Sequence, residues 1–306
     1  MTMLNGIFVV LVACSAVTTD AKATLRIFSC EPEWAALAKE LVGDSAEIYS
    51  ATTALQDPHQ IQARPSLIAH ARNADLMICS GAELETGWLP QVQRQAGNAK
   101  IQSNAPGYFE ASSVVPPLEV PATVDRSQGD VHAGGNPHIQ TNPHHIALVA
   151  TALTERLAQI DPPHAADYHT RNAAFQQRWQ TAIARWERAL APLHGKAVVT
   201  HHKYWVYLLA WLGLHEVATL EPKPGVPANV VHLAAVLAIV DHQPVIAILR
   251  TPYDSPQPSR WLAEKAHIAA VTLPGTVGGL SGTNDLFGLF DKTTDILAKL
   301  VPGTSP

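Results

Sequence analysis

Basic residues are few and scattered. The 306-residue chain carries 21 Lys and Arg against 26 Asp and Glu, a net charge of −5 with His counted neutral. No basic tract forms, so binding to nucleic acid or to an anionic membrane surface has no electrostatic basis. Cysteine is scarcer still. Cys14, Cys30 and Cys79 are the whole complement, and none belongs to a C-x-x-C pair, which argues against a thiolate zinc site. No H-E-x-x-H, no nucleophile elbow and no carboxylate pair at an informative spacing occurs, so enzyme chemistry finds little purchase. Beyond the first residues, no apolar run is long enough to cross a bilayer.

What is present begins with a leader. Ile7 to Val17 is an apolar stretch too short to span a membrane, and Ala21-Lys22-Ala23 is an A-x-A cleavage site. Leu11-Val12-Ala13-Cys14 offers a second reading, a lipobox that would leave Cys14 lipidated and the protein tethered. The short stretch ahead of Cys14, with no Lys or Arg before it, favours cleavage after Ala23. Both readings export the chain. An oxidising space permits a disulfide between Cys30 and Cys79, each at the end of an apolar strand-like run; two buried thiols are the equal alternative.

The whole chain is 47% hydrophobic and 15% charged, the balance of a globular protein, and its length suggests about two domains. Leu25–Cys30, Ala46–Ser50 and Asp75–Ser80 read as strands. Between and after them Glu33–Val42, Pro65–Asn73 and Glu83–Gln95 read as helices, the last kinked or broken at Pro90. The segment from Gln102 to Gly135, rich in Pro, Ser and Gly, reads mainly as loop. Pro143 opens a helix to about Gln159. From Ala165 to Leu190 there is no Pro or Gly, and Tyr168, Phe175, Trp179, Ile183, Trp186 and Leu190 recur mostly three or four apart, one face of a helix about 40 Å long. A second series follows, with strands at 197–200, Glu216–Leu220, Val245–Leu249 and Ala269–Leu273. Its helices are placed after His202, at Asn229–Asp241, at Ser259–Ala266 and from Asp285 to Leu300. Alternation of this kind predicts an α/β fold of two parallel-sheet lobes joined by one long helix. The expected division is leader 1–23, first lobe 24–160, linking helix 161–194 and second lobe 195–306.

Fifteen histidines are spread over this frame. His201-His202 falls at the carboxyl end of a strand, where open α/β sheets bind ligands. His59 follows a Pro in the loop after the second strand, His138 follows a Pro just before a helix, and Asp285 begins the last helix. Three imidazoles and one carboxylate suit tetrahedral Zn(II). Each has an ordinary alternative: a surface-loop histidine, or for Asp285 a helix-capping carboxylate. On an extended backbone His201 and His202 point opposite ways, so one of them faces the crevice. His132, His144, His145 and His164 read as exposed loop or helix-start residues.

The choice of four is made by resemblance. From Leu25 to Leu300 the chain resembles the periplasmic solute-binding proteins of zinc and manganese ABC importers. Asp57-Pro58-His59 with Pro65-Ser66, Ala74-Asp75-Leu76, Gly81, Leu84-Glu85 and Trp88-Leu89 is similar to that family's first ligand loop and the unit after it. Asn136-Pro137-His138-Ile139 with Pro143 resembles the second, although Gln140 stands where an aromatic is usual. His202 with Tyr204, Tyr207, Leu212 and Gly213 resembles the third, and Asp285 the fourth. The resemblance implies two lobes on one backbone helix, with a divalent ion between them held by His59, His138, His202 and Asp285. It also implies a monomer that serves an ABC permease of the inner membrane. Zinc members carry His at the third position where manganese members carry Glu, which makes Zn(II) the expected cargo and Mn(II) the alternative; a zinc hydrolase or a surface adhesin are remoter ones. The long His- and acid-rich loop of many zinc members is absent, since 129–145 holds only Asp130, His132 and the ligand region.

Overall fold

The computed structural model describes residues 24–301; the leader, with its cleavage site and Cys14, lies outside the described residues. Two four-stranded parallel sheets form the frame. The first contains β1 (Leu25–Ser29), β2 (Ala46–Ser50), β3 (Leu76–Cys79) and β4 (Tyr108–Glu110), in the order β2-β1-β3-β4. The second contains β5 (Ala197–Thr200), β6 (His215–Thr219), β7 (Val245–Arg250) and β8 (Ala269–Thr272), in the order β6-β5-β7-β8. In both, the chain leaves the first strand on one side and returns on the other. This creates a crevice beyond the carboxyl ends of the central strands.

Strand alternation explains the layering. Ile27, Leu76 and Ile78 pack on one face of the first sheet, against α1 (Pro32–Val42), α4 (Pro143–Ile160) and α5 (Ala165–Leu190). Phe28, Met77 and Cys79 face the other way, onto α2 (Pro65–Asn73) and α3 (Leu89–Ala96). Because both faces are covered, β3 is buried at every residue and reads as an unbroken apolar run. In the second sheet Val198, Ala247 and Leu249 meet α6 (Val206–Leu212), while Val199 and Ile248 meet α7 (Val230–Val240) and α8 (Pro256–Ala266).

The long helix α5 is joined by a second strap, α9 (Leu286–Ala298). Leu286, Leu289 and Phe290 of α9 belong to the first lobe's core, whereas Leu297 lies in the second lobe's. Trp179 of α5 meets Phe287 and Phe290 with ring centroids 4.9 and 5.4 Å apart. Trp186 stacks on Phe290 at 5.1 Å and donates its Nε1–H to Asp291.

Cys30, just past β1, and Cys79, at the end of β3, have Cα atoms 4.8 Å apart and form a disulfide. Two expectations need correction. Pro90 does not kink a helix over 83–95; it sits in the first turn of α3, where its missing N–H costs nothing. Ahead of it, Ala82 and Glu83 take positive φ values of 49° and 67°, which no helix allows. The stretch 102–135 also hides a strand, β4, which pairs with β3.

Candidate metal centre

Three of the four expected ligands meet. His59 follows β2 on a single 3₁₀ turn, Pro58–Gln60, capped by Asp57. His138 precedes the turn that leads into α4, and His202 lies just past the end of β5. The ring centroids form a near-equilateral triangle, 5.3 Å for His59–His138 and 5.6 Å for both His59–His202 and His138–His202. One ligand atom from each ring lies within 4.8 Å of the others. Imidazole nitrogens about 2.0–2.1 Å from a tetrahedral zinc sit roughly 3.3 Å apart, so a bound ion would draw this triangle slightly inward.

Each ring is aimed by its surroundings. His59 Nδ1 donates to Asp57 Oδ1 at 2.8 Å, which leaves Nε2 as the acceptor nitrogen, buried and without a partner. His202 Nδ1 donates to Glu221 Oε2 at 2.7 Å, and the same oxygen accepts from Gly225 N at 2.9 Å. A carboxylate behind a histidine fixes the tautomer and makes the outward nitrogen a better ligand. His138 is 1% exposed, and neither ring nitrogen has a protein partner. Its ring stacks on Tyr204 at 4.1 Å, and the Tyr204 hydroxyl is held by Gln140 Nε2 and Gly275 O, both at 2.9 Å. Gln140, where the resemblance leads one to expect an aromatic, thus positions the ring beneath His138. Buried nitrogens without partners normally carry a cost of about 1–3 kcal/mol each. A divalent cation in the triangle would satisfy them.

The electrostatics agree. Burial, and then the neighbouring His59, His202 and His132, push His138 well below the ordinary imidazole range, so it is neutral and free to ligate. Burial also acts to lower His202, but the Glu221 hydrogen bond and charge, with Asp254 and Asp57 behind, outweigh it and raise the group. Burial works to raise Asp57; its bonds and charge interaction with His59 prevail and hold it low. A neutral His138 beside two histidines that each have a carboxylate behind them favours a cation.

Asp285 stands apart from the triangle. It is exposed and caps α9, its Oδ1 accepting from Gly288 N at 2.7 Å. It fills a capping role, and it is not in the group that shares 4.8 Å. His201 is buried and lies outside the same group. Cys30, Cys79 and Glu85 also lie close together, but the sulfurs are joined to each other and offer no thiolate.

Sequence reading missed His132. Far from being an isolated loop residue, its ring lies 5.3 Å from that of His59, and burial together with His59 and His202 pushes it down to about 4. It was also silent on Glu221 as the residue that orients His202. A third omission is a buried acid trio. Glu31, Glu33 and Glu85 gather beyond β1 and β3, all raised chiefly by desolvation, Glu33 and Glu85 to about 7.

A family model described as the periplasmic zinc-uptake complex component A, ZnuA, matches residues 27–300. The manganese ABC transporter substrate-binding lipoprotein PsaA of Streptococcus pneumoniae is 25% identical over 198 residues, 62% of this chain and 60% of that protein. The iron-binding protein YfeA of Yersinia pestis is 24% identical over 275 residues, 86% of this chain and 82% of that protein. The chain spans little more than half the length of the streptococcal relatives it matches, 54% and 60% in two of them. A crystal structure of ZnuA superposes with a TM-score of 0.76 at 18% identity, covering 91% of this chain and 100% of that one. At that identity the likeness speaks for the fold.

Proposed function

The chain belongs to the zinc-uptake complex component A family, the solute-binding proteins of zinc and manganese importers, and on that premise we propose that it captures Zn(II) on His59, His138 and His202 and hands the ion to an ABC permease. The observation that carries the reading is the triangle itself: three imidazoles with acceptor nitrogens turned inward and, for His59 and His138, no protein partner. The first two ligands come from the first lobe and the third from the second, so the ion is held between them.

Zinc rather than manganese is favoured by the donor set. Three nitrogens suit a borderline cation, whereas Mn(II) prefers carboxylate and water oxygens. Asp285, the expected carboxylate ligand, caps α9 through Oδ1, so the three imidazoles carry the preference. The relatives named for manganese and iron make the metal itself the point to test. A hydrolytic role is disfavoured because Glu221, the carboxylate nearest in role to a general base, is occupied by His202 Nδ1 and Gly225 N. Export fits the leader, and among the described residues no helix is long and apolar enough to cross a membrane. We read the molecule as a monomer in the periplasm, freed by cleavage after Ala23 or anchored through Cys14.

Elemental analysis of purified protein, before and after chelation and zinc reloading, tests this directly. About one zinc per chain, displaced poorly by Mn(II) and lost or greatly weakened in His202→Ala, is the expected result. Stoichiometric manganese in preference to zinc would overturn the choice of metal.

A further inference from the structure

The triangle supplies three donors, and a tetrahedral ion needs a fourth. The cleft of about 330 Å³ that touches His138 and His202 is also lined by His132, Asn136, Asp130 and Pro224. His132 borders His59 as well, in the adjoining hollow with Glu83 and Gly87. Asp130, Val131 and His132 line both hollows, and of the three His132 alone offers an imidazole, its ring 5.3 Å from that of His59.

Its loop is not free to wander. On one side Asp130 N donates to Pro224 O at 2.9 Å, and Lys223 Nζ donates to Ser127 O at 2.7 Å. These contacts seat it on the segment that begins with Glu221, the partner of His202. Gly129, at φ +92°, lies so close to Pro224 O that a Cβ there would be 2.2 Å from it, so only glycine permits this approach. On the other side Ala133 N donates to Glu83 Oε2 at 2.7 Å, in the first lobe. His132 thus hangs between an anchor in each lobe, at the cleft beside the histidine triangle.

We propose that His132 is the fourth protein ligand of the bound ion, carried by a strap, residues 127–135, that closes the site from outside. The proposal rests on the metal-binding reading of the triangle. In the structure His132 stands outside the group that shares 4.8 Å, so ligation requires its ring to move inward as the three histidines contract. A fourth imidazole would complete an all-nitrogen set, keep water off the ion and bias the site further against manganese.

X-ray absorption of the zinc-loaded wild-type protein, counting imidazole scatterers, is the primary test, because it needs no variant. Four imidazoles at a single short shell are expected, and the tetrahedral visible band of the Co(II)-loaded protein should shift in His132→Ala as water replaces nitrogen. Zinc affinity of that variant should fall by roughly 10–100-fold, the scale seen when a supporting contact of a metal site is removed. Circular dichroism and the metal-free melting curve serve as the folding control for the variant. Three imidazoles in the wild type, with an unchanged Co(II) band and affinity in His132→Ala, would overturn the proposal and leave the triangle as the binding site. A wild-type chain that takes up no stoichiometric zinc or cobalt would sink the proposal together with the reading beneath it.

Discussion

The Glu33 carboxylate, on the first helix of one lobe, accepts the hydroxyl proton of Thr276, in the loop after the last strand of the other. The pair is buried. Desolvation lifts the Glu33 carboxyl from 4.5 to about 7 against the opposing pull of the Thr276 bond, and Glu31 and Glu85 share the same pocket.

This gives a sign to the pH dependence of stability. A carboxyl with a raised folded value keeps its proton longer when folded than when unfolded. Between about 4.5 and about 7 the folded chain therefore binds more protons and loses stability as pH rises. Glu33→Gln keeps an acceptor for Thr276 and removes the charge. Denaturant melts should find the variant more stable than wild type at pH 8, by up to roughly 3 kcal/mol, with the advantage fading as pH falls toward 4.5. An advantage that grows toward acid would contradict the assignment.

Glu221 should matter to metal binding without touching the metal. Glu221→Ala frees His202 Nδ1 and its tautomer, and titration calorimetry should show zinc affinity lowered by about 10–100-fold. Glu221→Gln, whose amide oxygen can still accept from Nδ1, should recover part of that loss. Equal affinity in all three proteins would mean His202 is oriented by packing alone.

Zinc binding should weaken in acid, because the ligands must be neutral. His202, raised by Glu221 against the opposing effect of burial, holds a competing proton, whereas His138, driven low by burial, does not compete. Competition titrations with a zinc indicator should show affinity falling as the solution is made acid. In Glu221→Ala the onset should move to lower pH.

The disulfide closes a loop with a sequence separation of 49. On chain-entropy grounds its loss costs about 4 kcal/mol. Reduction, or the double change Cys30→Ala with Cys79→Ala, should lower the denaturation midpoint accordingly. Because the bond lies behind the acid trio and not in the triangle, zinc stoichiometry in the folded protein should stay at one.

Much of the frame was legible because it follows local rules. The bounds of α5, Ala165–Leu190, and α2, Pro65–Asn73, match the reading from periodicity and from Pro and Gly alone. Elsewhere tertiary context decides. Tyr108–Glu110 is three residues in a Pro-rich stretch, and only pairing with β3 makes it a strand. His59, His138 and His202 were chosen through resemblance; spacing would not have singled them out. Asp285 came by the same route, and its carboxylate at a helix start also serves as a cap. His132 had no local mark at all. Its place is set by Asp130 on Pro224 and by Ala133 on Glu83, contacts between residues far apart in the chain.

The paired straps α5 and α9 bear on the unloading of the ion. With Trp179 and Trp186 interleaved between Phe287 and Phe290, the lobes share one spine and cannot swing apart like a jaw. On the proposed reading, release of an ion from the triangle would then depend on the rim around His132 and not on a wide parting of the lobes.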